Sequence, residues 1–303
     1  MIELENVSKT YISLFRNRRV EALAGLTLSI PRGEVFGIAG PNGAGKSTML
    51  SILLGYLKPT AGQARLDGHN PRQFVEKSGV SYLTELVSIP PRWNLESALL
   101  RYAALSNLPK ATARERVRHA IDTLGLEEHR KKQVRQLSKG NLQRLGIAQA
   151  LLADSDLVIF DEPTHGLDPV WTQKFREIVT ELRRPTRTIL IASHNLDELE
   201  RLADRVGILS QGRLQRIVTA GGAPIGGAYR LVLAQPAPGL SDVFADAVTV
   251  AGRSNEYQVS GTLEQLNERL ARLLAGGVTI VAFYPEQSRL ETEFRAAVKE
   301  SES

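Results

Sequence analysis

The sequence predicts an α/β fold, and three observations carry that reading. Leu157-Val158-Ile159-Phe160 and Thr188-Ile189-Leu190-Ile191-Ala192 are continuous apolar runs, the pattern of strands buried on both faces of a parallel sheet. Each run ends in polar residues, Asp161-Glu162 and Ser193-His194, and open α/β sheets bind ligands beyond such carboxyl ends. Between residues 94 and 153 the apolar residues recur at three- and four-residue spacing instead, so a helical block interrupts the strands.

Taken in order, Ile2-Glu3-Leu4-Glu5-Asn6-Val7 alternates apolar and polar as a half-buried strand does. Tyr11 follows, placed either to stack on a ring such as adenine or to cover the core from an edge strand. Residues 15–19 form a basic, exposed loop. Leu26-Thr27-Leu28-Ser29-Ile30 is a second alternating strand, ended by the turn signal Pro31-Arg32-Gly33. Val35-Phe36-Gly37-Ile38-Ala39 is a short apolar strand, and Met49-Leu50-Ser51-Ile52-Leu53-Leu54 reads as a helix.

Between these two lies Gly40-Pro41-Asn42-Gly43-Ala44-Gly45-Lys46-Ser47-Thr48, which fits G-x-x-x-x-G-K-[ST]. Glycines let backbone N–H groups converge on phosphate oxygens, and the helix N-terminus adds partial positive charge. Lys46 is placed to reach the β- and γ-phosphates, and Ser47 to put its hydroxyl on Mg²⁺. A strand before the loop and a helix after it are what that motif needs. The chain binds a nucleotide on this reading.

Beyond the first helix, which closes at residues 58–62, residues 63–68 read as a short strand and hairpin, and Val80-Ser81-Tyr82-Leu83 as another strand. A Pro-rich connection through Pro90-Pro91-Arg92-Trp93 opens the helical block. Leu95, Leu99, Tyr102 and Leu105 mark one helix of that block, and Val117, Ile121 and Leu124 a second, ending at Gly125. Asp161, at the end of its strand, is expected to hold Mg²⁺ through waters, and Glu162 to polarise the attacking water. Residues 220–227 form a Gly-rich flexible break. After it come strand-like runs at 229–233, 247–251, 256–260 and 278–284, with helices at 262–275 and about 289–300.

The motifs together resemble those of ATP-binding cassette (ABC) ATPases. Leu137-Ser138-Lys139-Gly140-Asn141, followed by Leu142-Gln143-Arg144-Leu145, resembles the L-S-G-G-Q signature. Asp161-Glu162-Pro163-Thr164-His165-Gly166-Leu167-Asp168-Pro169 is similar to the family's Walker B segment and D-loop. Ser193-His194-Asn195-Leu196-Asp197-Glu198 resembles its switch-histidine segment. Order and spacing agree over about residues 2–218. The resemblance implies a P-loop NTPase core with antiparallel β and inserted α-helical subdomains, plus a small C-terminal α+β domain. The expected divisions are a nucleotide-binding domain at 1–219 (helical subdomain about 86–154), a linker at 220–227 and an accessory domain at 228–303.

It also implies a composite ATPase whose two subunits meet head to tail. Tyr11 then stacks on adenine, and Asn42, Gly43, Ala44, Gly45, Lys46, Ser47 and Thr48 hold the phosphates. Ser138 and Gly140, at the start of a helix opening at Asn141, meet the γ-phosphate on the opposite subunit. Asp168 ties the two sites together, Glu162 and His194 with Lys46 carry the chemistry, and ATP with Mg²⁺ is the cofactor. Two departures stand out. Lys139 and Asn141 replace the consensus Gly and Gln, as in S-K-G-x variants of the exporter branch. Glu85 stands where many members have the Q-loop glutamine; it either reaches Mg²⁺ or water there, or is an exposed acid at a helix start. Trp93 and its prolines line the groove for a coupling helix, or Trp93 is a core residue.

Composition fits that picture. With 42 % hydrophobic and 23 % charged residues, the 303-residue chain is an ordinary globular protein. No run approaches eighteen apolar residues, the N-terminus lacks the regions of a signal peptide, and there is no cysteine. These features favour the cytoplasm, and the resemblance implies a place at the inner face of the cell membrane, held there by an integral-membrane transporter subunit. Residues 1–220 carry 31 Lys+Arg against 23 Asp+Glu, and residues 221–303 carry 7 against 10. The basic excess has no aromatic interleaving, so no nucleic acid is expected. The function implied is the ATP-hydrolysing subunit of an ABC exporter, ABC-2-like, as a homodimer. The rival is a soluble ABC ATPase acting on nucleic acid, ribosome or protein assembly, and a third reading makes the tail a ligand-sensing regulator.

Overall fold

The computed structural model describes residues 1–13, 18–106, 108–221, 228–237, 239–250, 252–285 and 288–302. Residues 15–17 of the basic loop, 222–227 of the Gly-rich break and 286–287 of the final connection lie outside these. Two compact units result, Met1–Ala220 with Ala297–Ser303, and Gly221–Ala296.

The first unit begins with β1 (Ile2–Ser13), β2 (Arg18–Ile30) and β3 (Val35–Ala39), then α1 (Lys46–Leu53), β4 (Ala61–Leu66) and α2 (Pro71–Ser78). Next come β5 (Ser81–Leu83), α3 (Leu95–Leu105), α4 (Lys110–Thr123), α5 (Lys139–Leu151) and β6 (Leu157–Asp161). It continues through α6 (Pro169–Leu182), β7 (Thr188–Ser193), α7 (Leu196–Leu202), β8 (Arg205–Ser210) and β9 (Arg213–Thr219). A six-stranded sheet runs β5-β6-β7-β3-β8-β9, parallel except for β9. An antiparallel sheet runs β2-β1-β4.

Every residue of β3, β6 and β7 is buried, which explains their unbroken apolar sequence. Met49, Leu50, Ile52 and Leu53 of α1 join Ile2, Leu4, Phe36, Ile38, Ile159 and Leu190 in one core that unites both sheets. Each fully buried side chain of this kind contributes roughly 1.5–3 kcal/mol. The core thereby holds the Gly40–Thr48 loop between two rigid layers.

Several expectations need correction. β1 and β2 are longer than their alternating stretches, because they pair with each other through β-bulges where alternation is lost. Residues 63–68 do not form a hairpin with a following strand. β4 pairs with β1, and a tight turn at 66–69 leads into α2, whose Asn70 cap accepts from Arg72 N–H. The first helix ends at Leu53, short of 58–62. The block 94–153 is not almost wholly helical: residues 124–138 hold only two single 3₁₀ turns. Leu105 is 76 % exposed, so the buried face of α3 is Leu95, Ala98, Leu99 and Ala103. Trp93 is half-buried, edge-on to Tyr102 at 6.5 Å, with the Arg101 guanidinium 4.6 Å from its ring centre.

The second unit contains β10 (Ala228–Leu233), α8 (Leu240–Val243), β11 (Val248–Thr249), β12 (Glu256–Ser260), α9 (Leu263–Ala275) and β13 (Ile280–Pro285). The chain's last helix, α10 (Arg289–Glu302), follows. The sheet order is β11-β12-β10-β13, all antiparallel, the split β-α-β-β-α-β plan. Tyr229, Leu231, Phe244, Val259 and Leu266 form its core. Of residues 247–250 only Val248 and Thr249 pair as strand, residue 251 lies outside the described residues, and α8 carries no periodic signal that its four residues could reveal.

Candidate nucleotide site

Gly45 caps α1 at φ 107°, and a Cβ there would come within 2.5 Å of the Ala22 carbonyl oxygen. Only glycine fits. Gly43, at φ 82°, has open space beside it, where the loop can close around an oxyanion. Lys46 is 8 % exposed, and its ammonium donates to the carbonyls of Gly40 (2.6 Å) and Pro41 (3.3 Å). An ammonium has three donors, so one remains for a phosphate oxygen. Asn42, Gly43, Ala44, Gly45, Lys46, Ser47 and Thr48 line a cleft of about 450 Å³.

The far wall of that cleft is acidic. Glu85, Asp161 and Glu162 face it. Asp161 closes buried β6, and its pKa is pushed up to about 6 by burial first, then by the charges of Glu85 and Glu162, with Lys46 opposing. Such a cluster has more negative charge than its surroundings balance. Among the described residues no three metal-ligating side chains group as a self-sufficient metal cage. The Ser47 hydroxyl and Asp161 supply oxygen donors to the cleft, which fits an ion that keeps waters and phosphate oxygens for its remaining positions. Glu85 lies in the irregular segment after β5, ten residues before α3 opens. The helix-start alternative is excluded.

Glu162 adopts φ 48°, unusual for a non-glycine residue. Neighbouring parallel strands explain how it is held there. β6 and β7 pair with Asp161 opposite Ala192, so the residues just beyond both strands meet. Glu162 N–H donates to Ala192 O at 2.9 Å. Its carboxylate accepts from His194 N–H at 3.0 Å and from the Ser193 hydroxyl at 3.2 Å. The His194 Nδ1 lies 2.8 Å from Glu162 Oε2, while the imidazole is largely exposed. Gln143 of α5 donates from behind to the carbonyls of Glu162 (3.3 Å) and Pro163 (2.9 Å).

At the other end of the cleft Tyr11 pairs across strands with Val20. Both line the cleft, and Tyr11 is 41 % exposed. Lining the cleft and partly exposed, Tyr11 is not a buried core residue. The Lys9 ammonium lies 5.7 Å from the ring centre.

Ser138, Gly140 and Asp168 are not brought to this cleft. They stand at the starts of α5 and α6. The helix carrying the signature opens at Lys139, not at Asn141, because the Ser138 hydroxyl caps it by accepting from Asn141 N–H at 3.2 Å. Asp168 caps α6 in the same way, accepting from Trp171 N–H at 2.9 Å. Asn141 Oδ1 accepts from Arg144, whose guanidinium also donates to Leu124 O and Gly125 O and stacks 4.0 Å from the Trp171 ring centre.

Three contributors went unrecognised in the sequence. Ser193 and Gln143 sat inside motifs without an assigned role, and Val20 gave no signal, since cross-strand register alone puts it beside Tyr11.

This geometry has counterparts. Residues 23–165 match the ABC transporter family model. The chain is 41 % identical over 218 residues to an uncharacterized ABC transporter ATP-binding protein of Nostoc, covering 70 % of this chain and 63 % of that protein. A lantibiotic transport ATP-binding protein of Streptococcus pyogenes is 34 % identical over 215 residues, covering 71 % of this chain and 89 % of that protein. The dimeric ATP-binding cassette MJ0796, bound to ADP and Pi, superposes with a TM-score of 0.67 at 25 % identity, over 74 % of this chain and all of that one. The similarity therefore extends well past the phosphate loop, through nearly the whole of the streptococcal relative, and the chain belongs to the ABC transporter family.

Proposed function

We propose that this chain is the ATP-hydrolysing subunit of an ABC transporter, dimerising on ATP to drive a separate integral-membrane subunit in export. One observation carries the catalytic part: Glu162 is fixed by Ser193 and His194 at the edge of the cleft that the phosphate loop lines. A carboxylate held there is positioned to take a proton from a water attacking the γ-phosphate. Lys46 and the loop N–H groups bind the phosphates, Tyr11 stacks on the adenine, and His194 holds the attacking water. Ser47 and Asp161, with Glu85 nearby, would hold Mg²⁺, which supplies neutralisation of phosphate charge when bound.

The separation of Ser138, Gly140 and Asp168 from this cleft supports a two-subunit site, in which those residues complete the opposite subunit's nucleotide pocket. The dimeric cassette bound to ADP and Pi supports the same arrangement. Among the described residues no helix is long and apolar enough to cross a membrane, and this reading gives the membrane passage to a separate subunit. The lantibiotic transport relative supports the transporter reading. We assign the unit from residue 228 an accessory role beside the ATPase unit.

The test is purification of the tagged full chain from its native host in mild detergent. A stoichiometric multi-span membrane protein is the expected companion. Recovery of ribosomes, nucleic acid or soluble partners alone would replace the transporter reading with a soluble ABC ATPase.

A further inference from the structure

Lys139 begins α5, next to Ser138, and its aliphatic stem lies along Gly166. A Cβ on Gly166 would sit 3.0–3.2 Å from the Lys139 Cγ, Cδ and Cε atoms, and Gly166 has φ 81°. The Lys139 ammonium ends 2.7 Å from His165 Nε2. An ammonium can only donate, so His165 accepts at Nε2 and carries its ring proton on Nδ1. One residue along the helix, a Cβ on Gly140 would stand 3.2 Å from the Gly166 carbonyl oxygen. The loop gripped in this way is short and already tethered at both ends. His165 N–H donates to Glu162 O at 3.1 Å, and Leu167 N–H to Thr164 O at 3.0 Å. Asp168 then closes the loop as the cap of α6.

We propose that Lys139 and His165 are a positioning pair, locking the signature turn of one chain against its own 164–168 loop. The Lys139 charge is engaged by His165 within the chain and does not serve as a phosphate contact. This rests on the two-subunit site proposed above. There Ser138 and Asp168 both act on the nucleotide of the opposite subunit, so the pair sets the relative placement of two groups that must arrive together. It acts on turnover and ATP-driven dimerisation, and leaves nucleotide binding by the chain's own phosphate loop unchanged.

Four variants of the full chain test it, each assayed for kcat, ATP-driven dimerisation and affinity for a fluorescent ATP analogue. Lys139→Met removes the donor and should lower kcat about tenfold, the effect of losing one charge-assisted hydrogen bond. Lys139→Gln keeps a neutral donor and should stay within about threefold of wild type. His165→Phe should match Lys139→Met, and combining those two should cost nothing more. Fluorescent nucleotide affinity should be equal in all four. If Lys139→Gln is as damaging as Lys139→Met, or the single losses multiply in the double variant of a dimerising chain, the pair is overturned alone. A wild-type chain that turns over ATP as a monomer overturns the two-subunit reading, and the pair's action across it as well.

Discussion

His194 N–H donates to Glu162 Oε1 at 3.0 Å while its ring Nδ1 stands 2.8 Å from Glu162 Oε2. Backbone and side chain of one residue thus grip both oxygens of the other. The grip exists because β6 and β7 are adjacent and in register, and it leaves the carboxylate one geometry at the cleft edge. A general base held in such a geometry contributes roughly 10²–10⁴-fold to a reaction, the role proposed for Glu162.

Glu162→Gln follows directly. The amide keeps the shape of the side chain but cannot take a proton, so phosphate release should fall at least about 100-fold. Nucleotide affinity should remain, because Lys46 and the loop are untouched. Size-exclusion chromatography with ATP should then show an accumulated dimer. Near-wild-type turnover would remove Glu162 from the role of base.

Tyr11 offers a cleaner readout of binding. Tyr11→Ala should weaken nucleotide affinity about 3- to 10-fold, the value of one aromatic stack, with kcat little changed at saturating ATP. Tyr11→Phe should be neutral, since stacking uses the ring and not the hydroxyl. Equal affinities for the alanine variant and wild type, by titration calorimetry, would place the adenine elsewhere.

Arg144 is a stability prediction. Its guanidinium donates to Leu124 O (3.0 Å), Gly125 O (3.2 Å) and Asn141, over the Trp171 ring. Arg144→Ala leaves those carbonyls without their donor and should cost about 2–4 kcal/mol, seen as a Tm lowered by about 5–10 °C. Arg144→Lys should recover less than half, because a point charge cannot replace a planar fork. Full recovery by lysine would show that charge alone matters.

Asp154 should make stability depend on pH. Hydrogen bonding from Arg184, then the charges of Arg184 and Arg187, hold its carboxyl below the usual range against the opposing effect of burial. A depressed folded-state pKa gives stability that is present above the unfolded value, ~3.9, and lost as pH falls through the folded one. Arg187 is buried and depends on this partner, whereas Asp154 itself is 45 % exposed. Solvent screening limits the effect to about 1 kcal/mol. Asp154→Asn should therefore be less stable than wild type at pH 7 by denaturant melts, and the gap should close below about pH 4. A gap that persists in acid would point to lost packing instead of lost charge.

The phosphate loop, the two buried strands and the order of motifs were legible because each depends on a contiguous stretch of chain. Gly45 must be glycine for its own φ and its contact with Ala22, and β6 and β7 must be apolar because both faces are covered. Local chemistry leaves such marks in order along the sequence. The extra length of β1 and β2 was not legible, since bulges break the alternation there. Nor was the exposure of Leu105, whose spacing matches the buried face up to the last turn of α3.

What only the tertiary structure decided are the pairs between distant segments. His194 meets Glu162 through strand register, Val20 joins Tyr11 through a bulged antiparallel ladder, and Lys139 reaches His165 because α5 packs beside the loop leaving β6. The sequence specifies each residue but not which one it faces. That choice belongs to the packed core, where two sheets and α1 fix all the loop ends at once.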